Sequence, residues 1–375
     1  MEKKLKICFL GNAASIHTIK WVKFFAERGH EVHLISYGLP CQKDLGRANL
    51  HILKKKIPIN TWPFNTLINL PFSVVKVRKI VKKVKPDIVN IHYVTSYGQL
   101  AVLTGFHPLV VTAWGSDVLV DPKKSLKARL VVKYVFKKAD LITCDAKHMK
   151  EAIIGLGALS SKIKIINFGI DTQKFSPGDK SKELKDKLGI FDSPVVISLR
   201  SLEQIYNVET LIKAVSLIIK EIPETKFIIV GKGSQEEKLK KMVKFLKISD
   251  NIRFVGQVLN EELPKYLRIA DVYISTSLSD AGIAASTAEA MACELPVVIT
   301  DSGENEKWIN DNENGFVIPV KSPKILAEKV IYLLKNKEIR EKFSKGARQV
   351  IEQRNNYYKE MEKMENIYKE LKNKN

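Results

Sequence analysis

From Tyr273 to Thr300 the chain reads YISTSLSDAGIAASTAEAMACELPVVIT: an apolar strand, a polar loop, an alanine-rich helix start and a second apolar strand, with no residues to spare. That order admits a strand-loop-helix-strand unit of a parallel sheet and little else. In such a unit the loop stands at the carboxyl end of the first strand, where the helix N-terminus presents unpaired N–H groups and a partial positive charge. The segment therefore predicts an anionic ligand. Glu289 interrupts the apolar helix. A lone Glu on a surface helix faces solvent, but Ala288, Ala290, Met291 and Ala292 around it suit close packing on a sheet, where a carboxylate needs a partner such as a ribose diol.

The same grammar recurs along the chain. In the first half, strands are predicted at Leu5–Leu10, Glu31–Ser36, Ile88–His92, Leu109–Ala113 and Leu141–Cys144, with a helix from Ile16 to Arg28 stopping at Gly29 and IKIINFGID closing the half. The second half offers strands Pro194–Leu199, Lys226–Val230 and Ile252–Val255, helices Val208–Lys220 and Glu236–Leu246, and then the opening segment. Alternation of this kind implies an α/β chain with two Rossmann-like, doubly wound parallel sheets. The stretch from Thr172 to Asp192, TQKFSPGDKSKELKDKLGIFD, reads as a linker, so domains are expected over 1–171 and 172–351, with a charged terminal helix in 352–375. A length of 375 residues suffices for two cores.

No segment reads as a membrane span. The uncharged run from Ile88 to Ser116 carries Asn90, His92, Ser96, Gln99 and Pro108 and divides into strands and loops. The basic start has an apolar stretch, Ile7 to Leu10, too short for a signal peptide. Cys8, Cys41, Cys144 and Cys293 are scattered with no C-x-x-C pair, which argues against a disulfide framework and a zinc site and fits a reducing cytosol.

Charge is unevenly spread. Residues 1–170 hold 28 Lys and Arg against 10 Asp and Glu, a net of +18 out of +21 for the chain. The clusters are Lys54–Lys56, the group from Lys76 to Lys85, and the group from Lys123 to Lys138, and several alternate with apolar residues as an amphipathic helix does. A solvated lysine-rich surface gives such a pattern, and so does a face that meets an anionic membrane. The asymmetry favours the membrane. Nucleic acid is not expected as a partner, because no helix-turn-helix, zinc finger or aromatic-studded sheet motif accompanies the charge.

EAMACELPVV, with Glu289, Ala290, Met291, Ala292 and Pro296, resembles the nucleotide-sugar signature of retaining glycosyltransferase family 4, with Glu294 where a Gly is usual. IINFGIDTQKF, Ile165 to Phe175, is similar to that family's hinge-proximal N-G-I-D-x-x-x-F, with Phe168 inserted. The resemblance implies the GT-B fold, two such sheets facing across a cleft, with acceptor bound by the first domain, donor by the second, and the terminal helix crossing back to the first. It also implies Arg200 as the cation on the donor diphosphate, where fixed charge stabilises the leaving group. The family's following Lys is replaced by Tyr206, and Lys232 in the Gly231-Lys232-Gly233 turn is the candidate second cation or an exposed turn lysine.

The family's first carboxylate falls on Ala281. Either Asp280, one residue earlier, holds the donor sugar's hydroxyls, or the contact is absent. Gly282, Ile283 and Ala284 are then expected to cradle phosphate or sugar, and Gly11 to bring the first loop to the donor phosphates. Trp114 replaces a family His in TAWGSD; it stacks on a sugar or fills core. His17 and His92 are either acceptor contacts or structural histidines. Neither a metal nor another cofactor is expected, so Arg or Lys must stabilise the leaving diphosphate; no dedicated protein base is required either, since the resemblance implies retaining transfer in which the leaving phosphate takes the acceptor's proton.

The function implied is transfer of a sugar, with retention, from a UDP- or GDP-sugar to a lipid-linked or surface-polysaccharide or glycolipid precursor, in the cytoplasm or peripherally on the inner face of the plasma membrane. The alternatives are a catalytically weak or non-catalytic sugar-nucleotide-binding protein, motivated by Tyr206, Trp114 and Ala281, and a sugar-nucleotide epimerase.

Overall fold

A computed structural model describes residues 4–40, 45–53, 64–280 and 282–374. Cys41, the Lys54–Lys56 cluster and Ala281 lie outside the described residues. The chain forms two compact units, one of residues 1–168 with 358–375 and the other of 169–357.

The first unit is built on β1 (Lys6–Leu10), β2 (Glu31–Ser36), β3 (Asn49–Ile52), β4 (Ile88–His92), β5 (Leu109–Thr112), β6 (Leu141–Cys144) and β7 (Ile163–Ile165). These form one parallel sheet in the order β3-β2-β1-β4-β5-β6-β7. Its central strands are buried along their whole length, because helices cover both faces, and their sequences are accordingly continuous apolar runs. The polar residues inside β4 are His92 and Asn90, the latter donating to Thr112 Oγ1 at 3.2 Å and to Tyr368 Oη at 2.6 Å. β3, with the sequence NLHI, is an edge strand whose residues are half-buried or exposed.

The second unit contains β8 (Val195–Leu199), β9 (Lys226–Val230), β10 (Ile252–Gly256), β11 (Val272–Ser275), β12 (Val297–Thr300) and β13 (Gly315–Ile318), again all parallel, in the order β10-β9-β8-β11-β12-β13. In both sheets the order reverses beside the first strand, β1 or β8, and the loops after these strands and their neighbours open at the carboxyl edge, where ligands of such sheets bind.

The G-I-D-x-x-x-F stretch has a local physical explanation. Asp171 accepts the amides of Gln173 and Lys174 at 3.1 and 3.0 Å, closing a turn that delivers Phe175 into the core. Ile170 pairs with Asn355 and Tyr357 through backbone hydrogen bonds of 2.7 and 2.9 Å. That pairing breaks the helix expected from Glu352 onward into Lys337–Arg354 and Tyr357–Lys374. The second of these packs in the first unit through Tyr368, and through Glu365, whose carboxylate forms an ion pair with Arg28, Oε2 to Nε at 2.6 Å.

Candidate active site

Arg200 follows β8 directly and is 9% exposed. Its guanidinium is paired with Asp280, Nη2 to Oδ1 at 2.5 Å, and makes longer contacts to Ser277 Oγ at 3.4 Å and Ser286 Oγ at 3.5 Å. The Tyr206 ring covers its face at 4.2 Å, while Nε is buried without a hydrogen-bond partner. The position where a second cation is usual therefore holds an aromatic ring that fixes the plane of the first. Tyr206 is itself anchored: Thr276 Oγ1 donates to the carbonyls of Tyr206 and Asn207 at 3.1 and 3.0 Å, and the Leu278 amide to Ile205 O at 2.8 Å.

The loop carrying Asp280 is packed without slack. Gly303 has φ +64°, and a Cβ there would lie 2.2 Å from the Asp280 carbonyl oxygen, so only glycine fits. Thr300 Oγ1 donates to Ser277 O at 2.6 Å, and Ser302 Oγ approaches Asp280 Oδ2 at 3.4 Å. Beyond it Ile283 is buried, Gly282 and Ala284 are half-buried, and their three amides find no acceptor among the described residues. They lead into the helix Ala285–Ala292, in which Glu289 is 8% exposed. Burial there excludes the solvent-facing alternative for Glu289. Ser286 and Thr287 on the same helix bond the buried Tyr273 hydroxyl at 2.9 and 3.5 Å.

Gly231 has φ +141°, and a Cβ on it would stand 2.3 Å from the Arg200 carbonyl oxygen; a Cβ on Gly233 would meet Leu202 at 2.4 Å. These glycines let two protein loops touch, which is the reason for the G-K-G turn. Lys232 between them is exposed and enters no ion pair among the described residues.

In the first unit, a cavity of about 550 Å³ opens at the carboxyl ends of β1, β2, β4 and β5. His17, His92 and Trp114 all line it. His17 is exposed and stacks on half-buried Trp114, with centroids 5.0 Å apart; His92 is 1% exposed and meets Trp114 and Trp21 edge-on. His92 Nδ1 lies 3.2 Å from Thr18 Oγ1, and its Nε2 has no partner. Burial, then His17, pushes the His92 pKa down to about 3, and the surrounding protein followed by Lys20 holds His17 below the usual range. Both are neutral near pH 7.

Gly11 is buried beneath this cavity, and a Cβ there would stand 3.1 Å from both His92 Cβ and Thr18 Cγ2. Packing by protein accounts for the glycine. The amides of Gly11, Ala13, Ala14 and Ser15 already donate to Ile35 O, Ser36 Oγ, Asn12 Oδ1 and Asn12 O. Two residues escaped the sequence reading. Asp117 closes TAWGSD by accepting the amides of Trp114 and Gly115 at 3.0 Å and of Val94 at 2.9 Å, tying the β4 and β5 loops together; burial nevertheless pushes its pKa up to about 6. Tyr93 holds φ +74° on the cavity wall, its hydroxyl 3.0 Å from Ser116 Oγ and 3.3 Å from Asp121 Oδ2. The Gly-x-Asp spacing in TAWGSD was the available signal for Asp117; nothing local announced Tyr93.

A larger hollow, about 860 Å³, runs along edge strand β10, but no buried polar group in its lining lacks a partner, unlike Arg200 and His92.

Residues 180–350 match the family model Glycosyl transferases group 1, and residues 6–146 match Glycosyl transferase 4-like. The chain belongs to the group 1 glycosyltransferases. This glycosyltransferase is 22% identical over 362 residues to N-acetyl-alpha-D-glucosaminyl L-malate synthase of Bacillus anthracis, covering 92% of this chain and 91% of that one. It is 26% identical to alpha-monoglucosyldiacylglycerol synthase of Acholeplasma laidlawii, over 85% of this chain and 84% of that protein. A mannosyltransferase of Mycolicibacterium smegmatis, GDP-mannose-dependent and acting on phosphatidylinositol monomannoside by name, is 27% identical over 59% of each chain. Among solved structures, Anabaena HepE in complex with UDP superposes with a TM-score of 0.81 at 18% identity, covering 98% of this chain and 100% of that one, and establishes the GT-B fold.

Proposed function

We propose that this glycosyltransferase moves a hexose-type sugar, with retention, from a UDP- or GDP-sugar to a lipid-linked, glycolipid or polysaccharide precursor held at an anionic membrane surface. The observation that carries the donor half is the Arg200 site: a buried guanidinium with an unpartnered Nε, three amides at residues 282–284 with no acceptor among the described residues, and a buried carboxylate on the adjoining helix. Diphosphate needs the first two and a ribose diol suits the third. In this reading Arg200 stabilises the leaving diphosphate, Asp280 and Gly282–Ala284 hold sugar and phosphate, and Glu289 holds ribose. Gly11, Gly231 and Lys232 belong to the walls, and no metal takes part in the reading.

The membrane half rests on the helix Leu126–Lys138. Leu126, Leu130 and Tyr134, spaced i, i+4 and i+8, are 73%, 60% and 43% exposed, and the stretch from 122 to 139 holds seven cations and no Asp or Glu. Among the described residues, Arg129, Lys133, Lys137 and Lys138 enter no ion pair. An apolar ridge between unpaired cations suits a peripheral site on an anionic leaflet.

Calorimetric titration of the protein with UDP, GDP, ADP and their sugar conjugates tests the donor half. Selective binding is expected, weakened about tenfold to a hundredfold by Arg200→Ala, the range for losing a hydrogen bond to a charged group. Glu289→Ala is expected to weaken nucleosides more than inorganic diphosphate. A protein that binds no nucleotide would refute the reading.

A further inference from the structure

The 550 Å³ cavity of the first unit differs in kind from the surface around it. The unit carries most of a +21 charge, yet no Lys, Arg, Asp or Glu is among the described residues lining the cavity. Its walls are the rings of Tyr37, Tyr93, Tyr97 and Trp114, and its polar groups are the neutral side chains of Asn12, Ser15, Ser96 and His17. His92, almost fully buried, contributes an Nε2 with no partner. The backbone adds little for an anion, because the amides of Gly11, Ala13, Ala14 and Ser15 are already bonded within the protein. The first turn of the helix Ile16–Glu27 remains, and a helix terminus amounts to about half an elementary charge. A carboxylate or phosphate entering here would give up its water with no cation in the lining to pair with it. A pyranose or cyclitol ring would not, since its C–H faces suit aromatic walls and its hydroxyls suit neutral donors and acceptors.

We propose that this cavity receives the reacting end of the acceptor as an uncharged polyhydroxylated ring, a sugar or a cyclitol, and rejects small carboxylates and phosphates, an assignment that rests on the transferase reading above. Any anionic part of the acceptor then stays outside the cavity, toward the basic surface. Selection is by charge exclusion at the ring and charge attraction around it.

The test is saturation-transfer NMR on the full chain with four probes: methyl α-D-glucopyranoside, myo-inositol, L-malate and glycerol 3-phosphate. Nucleotide binding is read separately by titration with UDP and GDP. A neutral ring is expected to bind, its affinity falling at least tenfold in Trp114→Ala and recovering in Trp114→Phe, while malate and glycerol 3-phosphate give no transfer. Binding of either anion that depends on Trp114 would overturn the proposal, as would failure of both neutral rings in a protein that still binds nucleotide. Should Trp114→Ala not fold, the four-probe comparison on the unmodified protein decides alone. Absence of nucleotide binding with ring binding intact would instead strike the transferase reading, and with it the acceptor role of the cavity, while leaving its selectivity for neutral rings.

Discussion

Arg200 faces two partners of different kind, a carboxylate in its plane and a ring on its face, and their roles separate by substitution. Asp280 at 2.5 Å balances the charge, whereas Tyr206 at 4.2 Å restricts the guanidinium to one orientation. A stacked cation is worth roughly 0.5–2 kcal/mol, so Tyr206→Leu is expected to weaken nucleotide binding by about twofold to thirtyfold and Tyr206→Phe to leave it nearly unchanged. Equal losses in both variants would mean that the hydroxyl, not the ring, matters. His92 makes a second residue-scale prediction. Its folded pKa of about 3 lies below the ordinary histidine value, so the unfolded chain binds its proton first. The stability it contributes is full above about pH 6.5 and is lost as pH falls toward 3, on the order of a few kcal/mol in all. His92→Phe should flatten the acid limb of a denaturant-midpoint profile between pH 6.5 and 4; an unchanged slope would place the titration elsewhere.

At the scale of elements, the helix Leu126–Lys138 is anchored by buried Val132, Val135 and Phe136 with half-buried Val131 beside them, and turns Leu126, Leu130 and Tyr134 outward. Replacing these three with Gln, Gln and Ser is expected to leave the melting temperature nearly unchanged, since exposed side chains contribute little to folding. Flotation with vesicles containing anionic lipid should fall several-fold, and binding by the unmodified protein should weaken steeply between low and physiological salt. Vesicle binding that the triple variant retains would move the membrane face off this helix. Elements also mark where sequence reading succeeded and failed. Short, mostly apolar runs such as IVNIH and KFIIV fixed β4 and β9 to the residue, because strands buried on both faces leave little ambiguity about where the core ends. The edge strand β3, NLHI, went unnoticed, since four residues with half-buried faces carry too little periodicity to register. β13 went unnoticed too: GFVI follows a polar turn and spans only four residues.

For the whole molecule, the terminal helix Tyr357–Lys374 shows how distant sequence completes a core. The buried Tyr368 hydroxyl accepts from Asn90 Nδ2 at 2.6 Å across a separation of 278 residues, and burial raises its pKa well above the ordinary tyrosine range. Tyr368→Phe strands that donor and is expected to cost about 1–2 kcal/mol, lowering the melting temperature by roughly 2–8 °C in scanning calorimetry. No shift would mean that Asn90 is satisfied by Thr112 alone. Local sequence by itself determined the alternation of strand and helix, the α/β class, the loop after β11 and the presence of Arg200 at the end of β8, because periodicity and turn chemistry act over a few residues. What the residues do to one another was decided only by tertiary structure. The Asp280 pairing, the Tyr206 stack, the loop-to-loop reason for Gly231 and Gly303, the tie made by Asp117 and the absence of charge from a cavity in a strongly basic unit all join positions far apart in the chain. Such contacts depend on the distance and orientation of side chains brought together at the carboxyl edge of a sheet, and one-dimensional spacing does not encode those quantities.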